Sequence, residues 1–348
     1  MNVNLISDTA TQPTPEMLRA MMAATVGDDV FRQDPTVNEL EEYAASLFGM
    51  EAGLFCPSGT MTNQLGIKVH TRALDEVVCE ENSHVYQYEG GVYGLISNVS
   101  MNLIKGERGK LRPGQVAAAV KPEYDWLPRT RLLVLENTCN KGGGSIYTID
   151  EARTLAAEAR QHGLAVHLDG ARLFNALVET GESPDAWGEV FDTISICLSK
   201  GLGAPVGSLL LGPAGLIAEA RRFRKVLGGG MRQAGYLAAA GLYALKHHVQ
   251  RLRDDNARAR KLAGVLAEQS YVDSVARTET NICIFELAEG LTAPLFLEDL
   301  KEAGILATPF GPRTVRFTTH LGVDETQIDY VIEQLRQLRP REAAPVHG

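Results

Sequence analysis

Short apolar segments alternate with longer amphipathic ones along most of the chain, a pattern typical of repeated β-α units. The apolar segments are bounded by polar residues or glycine, as the buried strands of a parallel sheet are. Parallel strands need crossover connections that are usually helices, so the pattern predicts an α/β fold around a mostly parallel sheet. The predicted buried strands cover residues 77–79, 132–135, 165–168, 193–198 and 208–211.

Two of the amphipathic segments carry recognisable start and stop signals for a helix. The first contains Thr36 and Glu39 at the spacing of a capping box and stops at Gly49. The second begins with the same spacing at Thr148 and Glu151. We expect both helices to pack an apolar stripe against the sheet.

The pattern changes near residue 250, after a long helical region. From there the chain reads as a further, shorter set of strands and helices. We therefore predict a large domain over residues 1–249 and a smaller α/β domain over residues 250–348. The elements predicted in the smaller domain are strands over 281–287 and 314–318 and helices over 295–303 and 325–338.

Composition and charge narrow the class of protein. The chain has 348 residues, of which 45% are hydrophobic and 22% charged, as in ordinary globular proteins, and no segment has the length and apolarity of a membrane span. The net charge of −9 argues against a nucleic-acid partner. Residues 1–7 lack the features of a secretory signal, so we expect a cytoplasmic location. The five cysteines have neither zinc-ligand nor disulfide spacing, and no metal site is predicted.

Chemically active side chains follow three of the predicted strands, namely Glu136, Asp169 and Lys200. Open α/β sheets bind ligands at the carboxyl ends of their strands. Lys200 is followed by glycine and other small residues, which would let a flat ring lie close to the backbone. Burying an ammonium is costly and forming an imine removes that cost, so Lys200 is a candidate Schiff-base lysine. An ordinary loop lysine is the alternative for this motif taken alone.

Other residues could complete a site around the same ring. Asp169 lies one β-α unit before Lys200, and a carboxylate beside a pyridine nitrogen keeps that nitrogen protonated. Ser58, Gly59 and Thr60 open a predicted helix and offer donors of the kind that bind phosphate. Alternatively, Asp169 is a helix cap and the Ser-Gly-Thr sequence is an ordinary helix start.

Two further candidates come from isolated residues. His84 could stack on the ring, although single histidines are often structural. Arg232 follows the glycine run 228–230 and could bind a phosphate, although such a run is also typical of a hinge.

Together these residues resemble the low-specificity L-threonine aldolase family, which has the pyridoxal-phosphate fold type I related to aspartate aminotransferase. The motifs occur in order over nearly the whole chain. They are Ser7-Asp8-Thr9-Ala10-Thr11, Gly27-Asp28-Asp29-Val30, Asp34-Pro35-Thr36, Ser58-Gly59-Thr60-Met61-Thr62-Asn63, His84, Tyr88-Glu89-Gly90-Gly91, Glu136-Asn137-Thr138, Asp169-Gly170-Ala171-Arg172, Ser199-Lys200-Gly201-Leu202-Gly203-Ala204-Pro205, Gly230-Met231-Arg232-Gln233 and Arg316-Phe317-Thr318-Thr319-His320.

The resemblance implies a lyase that uses pyridoxal 5′-phosphate to cleave L-threonine, L-allo-threonine and related β-hydroxy-α-amino acids to glycine and an aldehyde. It also implies a homotetramer whose subunits share active sites, with Arg232 binding the phosphate of a neighbouring subunit. The catalytic residues it implies are Lys200, His84 and Asp169. The implied cofactor contacts are Ser58, Gly59, Thr60, His84, Asp169, Arg172, Lys200 and Arg232, and the implied substrate contacts are Ser7, Arg172, Arg316 and Cys139.

Two positions depart from the family pattern. Cys139 stands where the family commonly has histidine, and Phe31-Arg32 replaces an aromatic-glycine pair. The family histidine is thought to assist at the substrate hydroxyl, so the general base and the threo or allo preference stay open; His84 or a bound water could serve as base. Cys139 is alternatively a packed small residue.

The departure at Cys139 keeps alternative functions open. One alternative is another fold type I lyase, either a β-eliminating lyase or an aldolase for a bulkier or acidic β-hydroxy amino acid. A non-catalytic protein of the same fold is disfavoured by the presence of both Lys200 and Asp169.

Overall fold

The computed structural model describes residues 1–341, and residues 342–348 of the predicted smaller domain lie outside the described residues. No helix within residues 1–341 has both the length and the apolar character needed to cross a membrane. The strands are β1 Val3–Asn4, β2 Ala52–Cys56, β3 Asp75–Glu80, β4 Ser100–Ile104, β5 Arg129–Glu136, β6 Ala165–Asp169, β7 Thr193–Cys197, β8 Ser208–Gly212, β9 Val272–Val275, β10 Ile282–Leu287, β11 Ile305–Leu306, β12 Thr308–Pro309 and β13 Thr314–Thr318. The helices are α1 Pro15–Met22, α2 Pro35–Leu47, α3 Gly59–His70, α4 His84–Gln87, α5 Val92–Ile96, α6 Gln115–Ala119, α7 Ile149–Gln161, α8 Leu173–Thr180, α9 Pro184–Gly188, α10 Ala214–Val226, α11 Gly235–His247, α12 Leu252–Ala267, α13 Ala293–Glu302 and α14 Glu325–Gln337.

The central sheet has seven strands within residues 1–341, in the order β2-β8-β7-β6-β5-β3-β4. Strands β4, β3, β5, β6 and β7 are parallel, as the alternating pattern predicts. Strand β8 is antiparallel to both of its neighbours. The segment between β7 and β8 contains no helix, so the chain returns in the opposite direction. All five predicted buried strands are present, and β2 and β4 are additional.

Helix α3 packs unusually close to the sheet. A Cβ at Gly66 would lie only 2.5 Å from the ring of His167 on β6, so a larger residue would force the helix outward. His167 is itself buried. This close contact fixes the depth at which the first turn of α3, with Ser58, Gly59 and Thr60, meets the carboxyl edge of the sheet.

The start of α2 differs from the prediction. Asp34, not Thr36, is the N-cap, and its carboxylate accepts hydrogen bonds from the amides of Thr36 and Val37 at 3.1 and 3.0 Å. The capping box predicted at Thr36 and Glu39 is therefore wrong, because Pro35 occupies the first helical position and places the cap one residue before it. The capping box at Thr148 and Glu151 is confirmed.

The C-terminal part of the chain forms its own antiparallel sheet, in the order β12-β13-β10-β9, with a separate hydrophobic core. The predicted strand 314–318 and the helices near 295–303 and 325–338 are present. Strand β1 pairs with β11, and Val3 and Leu5 join this core. The N-terminal segment thus crosses to the smaller domain, whose boundary near residue 250 stays a prediction.

Replacing Asp34 by alanine should destabilise the fold strongly. The buried Asp34 carboxylate also accepts from the amides of Gly27 and Gly235, at 3.2 and 2.9 Å, so it joins α2 to two other segments. We expect Asp34→Ala to lower the free energy of unfolding by about 2–4 kcal/mol, since a lost cap and unsatisfied buried amides add together. Urea denaturation followed by circular dichroism measures the change.

Thr14→Ala is the matched control for Asp34→Ala. Thr14 caps α1 through a single partly buried hydrogen bond to the amide of Met17, so its loss should cost about 1 kcal/mol. Equal effects of the two substitutions would contradict the role given to Asp34.

Candidate functional site

Two adjoining cavities lie at the carboxyl edge of the central sheet in the described part of the chain. The inner cavity, of about 160 Å³, lies between the first turn of α3 and the ends of β6 and β7. The outer cavity, of about 350 Å³, extends towards the N-terminal segment and the smaller domain. His84 and Lys200 line both, so a ligand could occupy the two together.

Lys200 and Asp169 are brought together as the strand pattern predicts. Asp169 is the last residue of β6, and Lys200 follows the end of the neighbouring strand β7. Both line the inner cavity, where Asp169 is buried and Lys200 is partly buried. The cavity therefore presents an amine and a carboxylate to the same ligand.

Asn63 positions Asp169. Its amide nitrogen donates to Asp169 Oδ2 at 2.8 Å and to Glu89 Oε1 at 2.9 Å, so one side chain bridges two buried carboxylates. Asp169 Oδ1 accepts from the amide of Ala171 at 3.1 Å. These bonds fix the orientation of Asp169 and leave acceptor capacity on its carboxylate for a protonated ring nitrogen.

His84 is held by Glu89. Its Nδ1 lies 3.0 Å from Glu89 Oε1, and Gln64 donates to the other oxygen of Glu89 at 2.6 Å. Burial disfavours the imidazolium, but the hydrogen bond that Glu89 accepts from the His84 ring and the charges of Asp169 and Glu89 outweigh it and raise the pKa of His84. Nε2 is therefore the ring nitrogen that remains available to exchange a proton with a ligand.

His84, Glu89 and Asp169 also have the spacing of a possible metal site, since one ligand atom from each lies within 4.8 Å of the others. Both carboxylate oxygens of Glu89 already accept hydrogen bonds, from Asn63, Gln64 and His84. One oxygen of Asp169 likewise accepts from Asn63. The expectation of no metal stays a prediction.

Glu136 is a third buried carboxylate, beside Asp169 and Glu89. Its oxygens accept from the backbone amides of His84 at 2.6 Å and Asn140 at 2.8 Å. Burial, and then the negative charge of Asp169, raise the pKa of Glu136 to about 7, although the two amides oppose the shift. Glu136 therefore sets the backbone position of His84 and of the segment that follows β5.

The first turn of α3 is suited to an anion. Ser58 caps the helix through a 3.2 Å bond from the amide of Met61, and Ser58, Gly59 and Thr60 all line the inner cavity. A Cβ at Gly59 would lie 2.6 Å from Cys197 Sγ, so the close approach requires glycine. The buried hydroxyl of Ser208, 3.6 Å from that point, has no partner among the described residues.

The predicted substrate-carboxylate residues line the outer cavity, but Arg172 is already paired. Its Nε and Nη2 bind both oxygens of the fully buried Asp8, at 2.7 and 2.8 Å. Burial would raise the pKa of Asp8, but the charge and hydrogen bonds of Arg172 outweigh it and hold that pKa well below its usual range. Ser7, beside Asp8, accepts from the amide and hydroxyl of Thr9.

Arg316 is the less compensated cation. It donates to Asn140 Oδ1 at 2.8 Å and to the carbonyl of Ile6 at 3.0 Å, and its Nε has no partner within residues 1–341. Burial, followed by the like charge of Arg172, lowers the pKa of Arg316 to about 10. A carboxylate from a ligand would relieve this desolvated charge.

The structure does not bring Cys139 to either cavity. Its buried thiol donates to the carbonyls of Gly109 and Glu136, at 3.3 and 3.1 Å. Burial, and then the charge of Glu136, raise the pKa of Cys139 well above its ordinary value, so the thiol is protonated. This placement does not support the substrate contact expected for Cys139, and it fits the alternative that Cys139 is a packed small residue.

Arg232 also lies away from both cavities of its own chain. It is exposed and pairs with Asp28 at 2.8 Å. A contact with the phosphate of a neighbouring subunit stays a prediction.

Several residues of the site were not singled out from the sequence. Asn63 and Glu89 lie inside the family motifs, and their positions four residues after Gly59 and five after His84 were the available signal. Asp8 also lies inside a family motif, residues 7–11, and was likewise not singled out. Lys141 and Phe310, which line the outer cavity, carried no sequence signal.

A separate, larger cleft of about 520 Å³ contains none of the candidate residues among those described. It is lined by charges that pair with one another, including Arg108 with Glu279 and Lys110 with Glu151. The charged side chains of these pairs are therefore already matched within the described residues.

Comparisons with known proteins identify the family of the chain. Residues 4–289 match the family model described as Beta-eliminating lyase. The chain is 41% identical over 342 residues to the low specificity L-threonine aldolase of Escherichia coli O157:H7, covering 97% of this chain and 100% of that protein. It is 38% identical over 343 residues to the low-specificity L-threonine aldolase 1 of Arabidopsis thaliana, covering 97% and 96%.

Solved structures share the fold at lower sequence identity. A threonine aldolase from Leishmania major has a TM-score of 0.83 at 20% identity, covering 96% of this chain and 99% of that one. A serine palmitoyltransferase from Sphingomonas wittichii has a TM-score of 0.76 at 17% identity, covering 97% and 86%. The predicted α/β fold is therefore shared with both.

Replacing Glu89 by glutamine should lower the pKa of His84. The variant keeps an oxygen for Asn63 and His84, and the unpartnered Oε1 of Gln64 can accept from the new amide after Gln64 flips. Without the carboxylate charge, burial dominates, and the pKa should fall to about 6.5 or lower. Carbon-proton NMR of the histidine ring across a pH series, assigned with His84→Gln, measures it.

The control for Glu89→Gln is Glu42→Gln, which removes an exposed carboxylate on α2. It should leave the His84 titration in place. An unchanged His84 pKa in Glu89→Gln would show that Glu89 does not hold the imidazolium.

Proposed function

The chain belongs to the beta-eliminating lyase family, and on that premise we propose that it is an aldolase that cleaves L-threonine, L-allo-threonine and related β-hydroxy-α-amino acids to glycine and an aldehyde. Its cofactor is pyridoxal 5′-phosphate and its fold is that of the fold type I enzymes. The observation that carries the proposal is the convergence of Lys200, Asp169 and His84 on one cavity.

The residues of the inner cavity fit this cofactor. The first turn of α3, with Ser58, Gly59 and Thr60 lining the cavity, suits its phosphate. Asp169 can accept from its ring nitrogen, and Lys200 can hold it covalently through Nζ. When bound, the cofactor supplies an electron-accepting ring in conjugation with the substrate Cα.

The outer cavity orients the substrate. Arg316 lines this cavity and is bound only by the neutral oxygens of Asn140 and Ile6, so it binds the substrate carboxylate, and Ser7 lines the same cavity. Arg172 acts mainly through Asp8, because two of its nitrogens already bind that carboxylate. Fixing the carboxylate sets which Cα bond stands perpendicular to the ring, and so directs cleavage to the Cα–Cβ bond.

Proton transfer falls to His84. In its neutral form it takes the β-hydroxyl proton at Nε2 while Glu89 holds Nδ1. The Cα–Cβ bond then breaks, the aldehyde departs, and a proton delivered to Cα completes glycine. Cys139 cannot take this role from its buried position.

The proposal also extends to the assembly and the location. An exposed Arg232 that lines neither cavity of its own chain suits a role in the site of a second subunit, in a homotetramer. The location proposed is the cytoplasm.

Cleavage products and borohydride labelling test the proposed function directly. With cofactor, the purified protein should convert L-threonine and L-allo-threonine to glycine and acetaldehyde. Borohydride should fix the cofactor to the peptide that contains Lys200, and Lys200→Ala should abolish turnover. Mass spectrometry identifies the labelled peptide, with Lys301→Ala, an exposed lysine of α13, as control. Pyruvate and ammonia as products would favour the β-eliminating alternative, and label on another lysine would contradict the assignment.

Mixed oligomers test the proposed role of Arg232. Arg232→Ala and Lys200→Ala chains are each expected to be inactive alone. Refolding them together should restore activity, because a hybrid site combines the intact half of each chain. Native mass spectrometry confirms mixing, and mixed oligomers without activity would place Arg232 outside the neighbouring site.

A further inference from the structure

The outer cavity carries more positive charge than the substrate carboxylate requires. It is lined by Lys141, Arg172, Lys200 and Arg316, and by no acidic side chain within residues 1–341. Asp8 compensates Arg172, Lys200 is taken by the cofactor, and the α-carboxylate compensates Arg316. Lys141 is then the cation of this cavity that has no compensating negative charge among the described residues.

Lys141 has no carboxylate or hydrogen-bond partner for its ammonium among the described residues. Its Nζ lies 4.2 Å from the centre of the Phe310 ring and 5.9 Å from that of Tyr88. Such cation–π contacts hold the ammonium in place without neutralising it or using its three donors. Lys141 is therefore held in position, without a compensating charge, in the wall of the outer cavity.

Lys141 and Arg316 both lie against the ring of Phe310, in the same wall of the outer cavity. Arg316 Cζ lies 4.7 Å from the ring centre to which Lys141 is also close. A substrate whose α-carboxylate binds Arg316 would direct its Cβ substituent along the same wall. An aromatic substituent would have to displace a cation to stack on Phe310, whereas an anionic substituent meets Lys141 directly.

We propose that Lys141 selects β-hydroxy-α-amino acids that carry a second anionic group on the Cβ substituent. This inference rests on the proposed function. For 3-hydroxyaspartate, the Cα–Cβ bond breaks, the hydroxyl proton passes to the base and a proton returns to Cα, so the products are glycine and glyoxylate. The released aldehyde retains the second anion.

The test compares 3-hydroxyaspartate, as both L-diastereomers, with L-threonine. Wild-type holoenzyme should show the higher kcat/KM with hydroxyaspartate. In Lys141→Gln the ratio of the two kcat/KM values should fall by about 10- to 100-fold, which is the effect of losing one hydrogen bond to a charged group. Lys141→Arg should retain most of the ratio, and Lys301→Gln, on exposed α13, should leave it unchanged.

Calorimetry gives a readout that does not depend on turnover. L-Aspartate should bind the holoenzyme about tenfold or more tightly than L-alanine, and Lys141→Gln should remove this difference. If Lys141→Gln fails to fold, wild type and Lys141→Arg still test the preference.

The outcomes separate the two proposals. Glycine from threonine, with no preference for hydroxyaspartate or aspartate, would overturn the role of Lys141 and leave the aldolase function standing. A preference that survives in Lys141→Gln would also overturn it. No glycine from any β-hydroxy amino acid would refute the proposed function itself.

Discussion

Burial of three carboxylates at one edge of the sheet is the constraint on which the site depends. Glu89, Glu136 and Asp169 lie together out of solvent, and each charge must be matched by a donor or taken up by a proton. Asn63 donates hydrogen bonds to both Asp169 and Glu89. The ring of His84 is hydrogen-bonded to Glu89, and Glu136 accepts from backbone amides. A protonated ring nitrogen beside Asp169 would extend the same compensation, so the site is organised before a cofactor binds.

A second buried charge connects the parts of the molecule. Asp8 accepts from Arg172, which follows β6, and from Asn281 at 3.1 Å, which precedes β10 of the smaller sheet. The N-terminal segment is held from the other side by the pairing of β1 with β11. The outer cavity therefore has walls from three parts of the molecule, namely the N-terminal segment, the carboxyl edge of the central sheet and the smaller sheet, and its geometry depends on how they pack together.

The sequence predicted the central sheet well because its strands are buried on both faces and appear as unbroken apolar segments. It also located Lys200 and Asp169, since both follow such strands directly. The antiparallel direction of β8 escaped prediction because it depends on a loop that contains no helix. Lys141 and Phe310 escaped because they meet only through docking of the smaller domain, which leaves no periodic pattern.

The departure at Cys139 becomes intelligible from the same geometry. Its thiol donates to the carbonyl of Glu136, three residues earlier in the chain. The Cys139 side chain is therefore packed in the core and does not line the outer cavity. The next two residues turn towards the outer cavity, where Asn140 binds Arg316 and Lys141 lies over Phe310. Where the family it resembles commonly has a histidine, this chain thus has a neutral thiol, and the cation Lys141 lies two residues further along. Under the proposed function, the segment after β5 would contribute charge recognition, and proton transfer would rest on His84 with its partner Glu89.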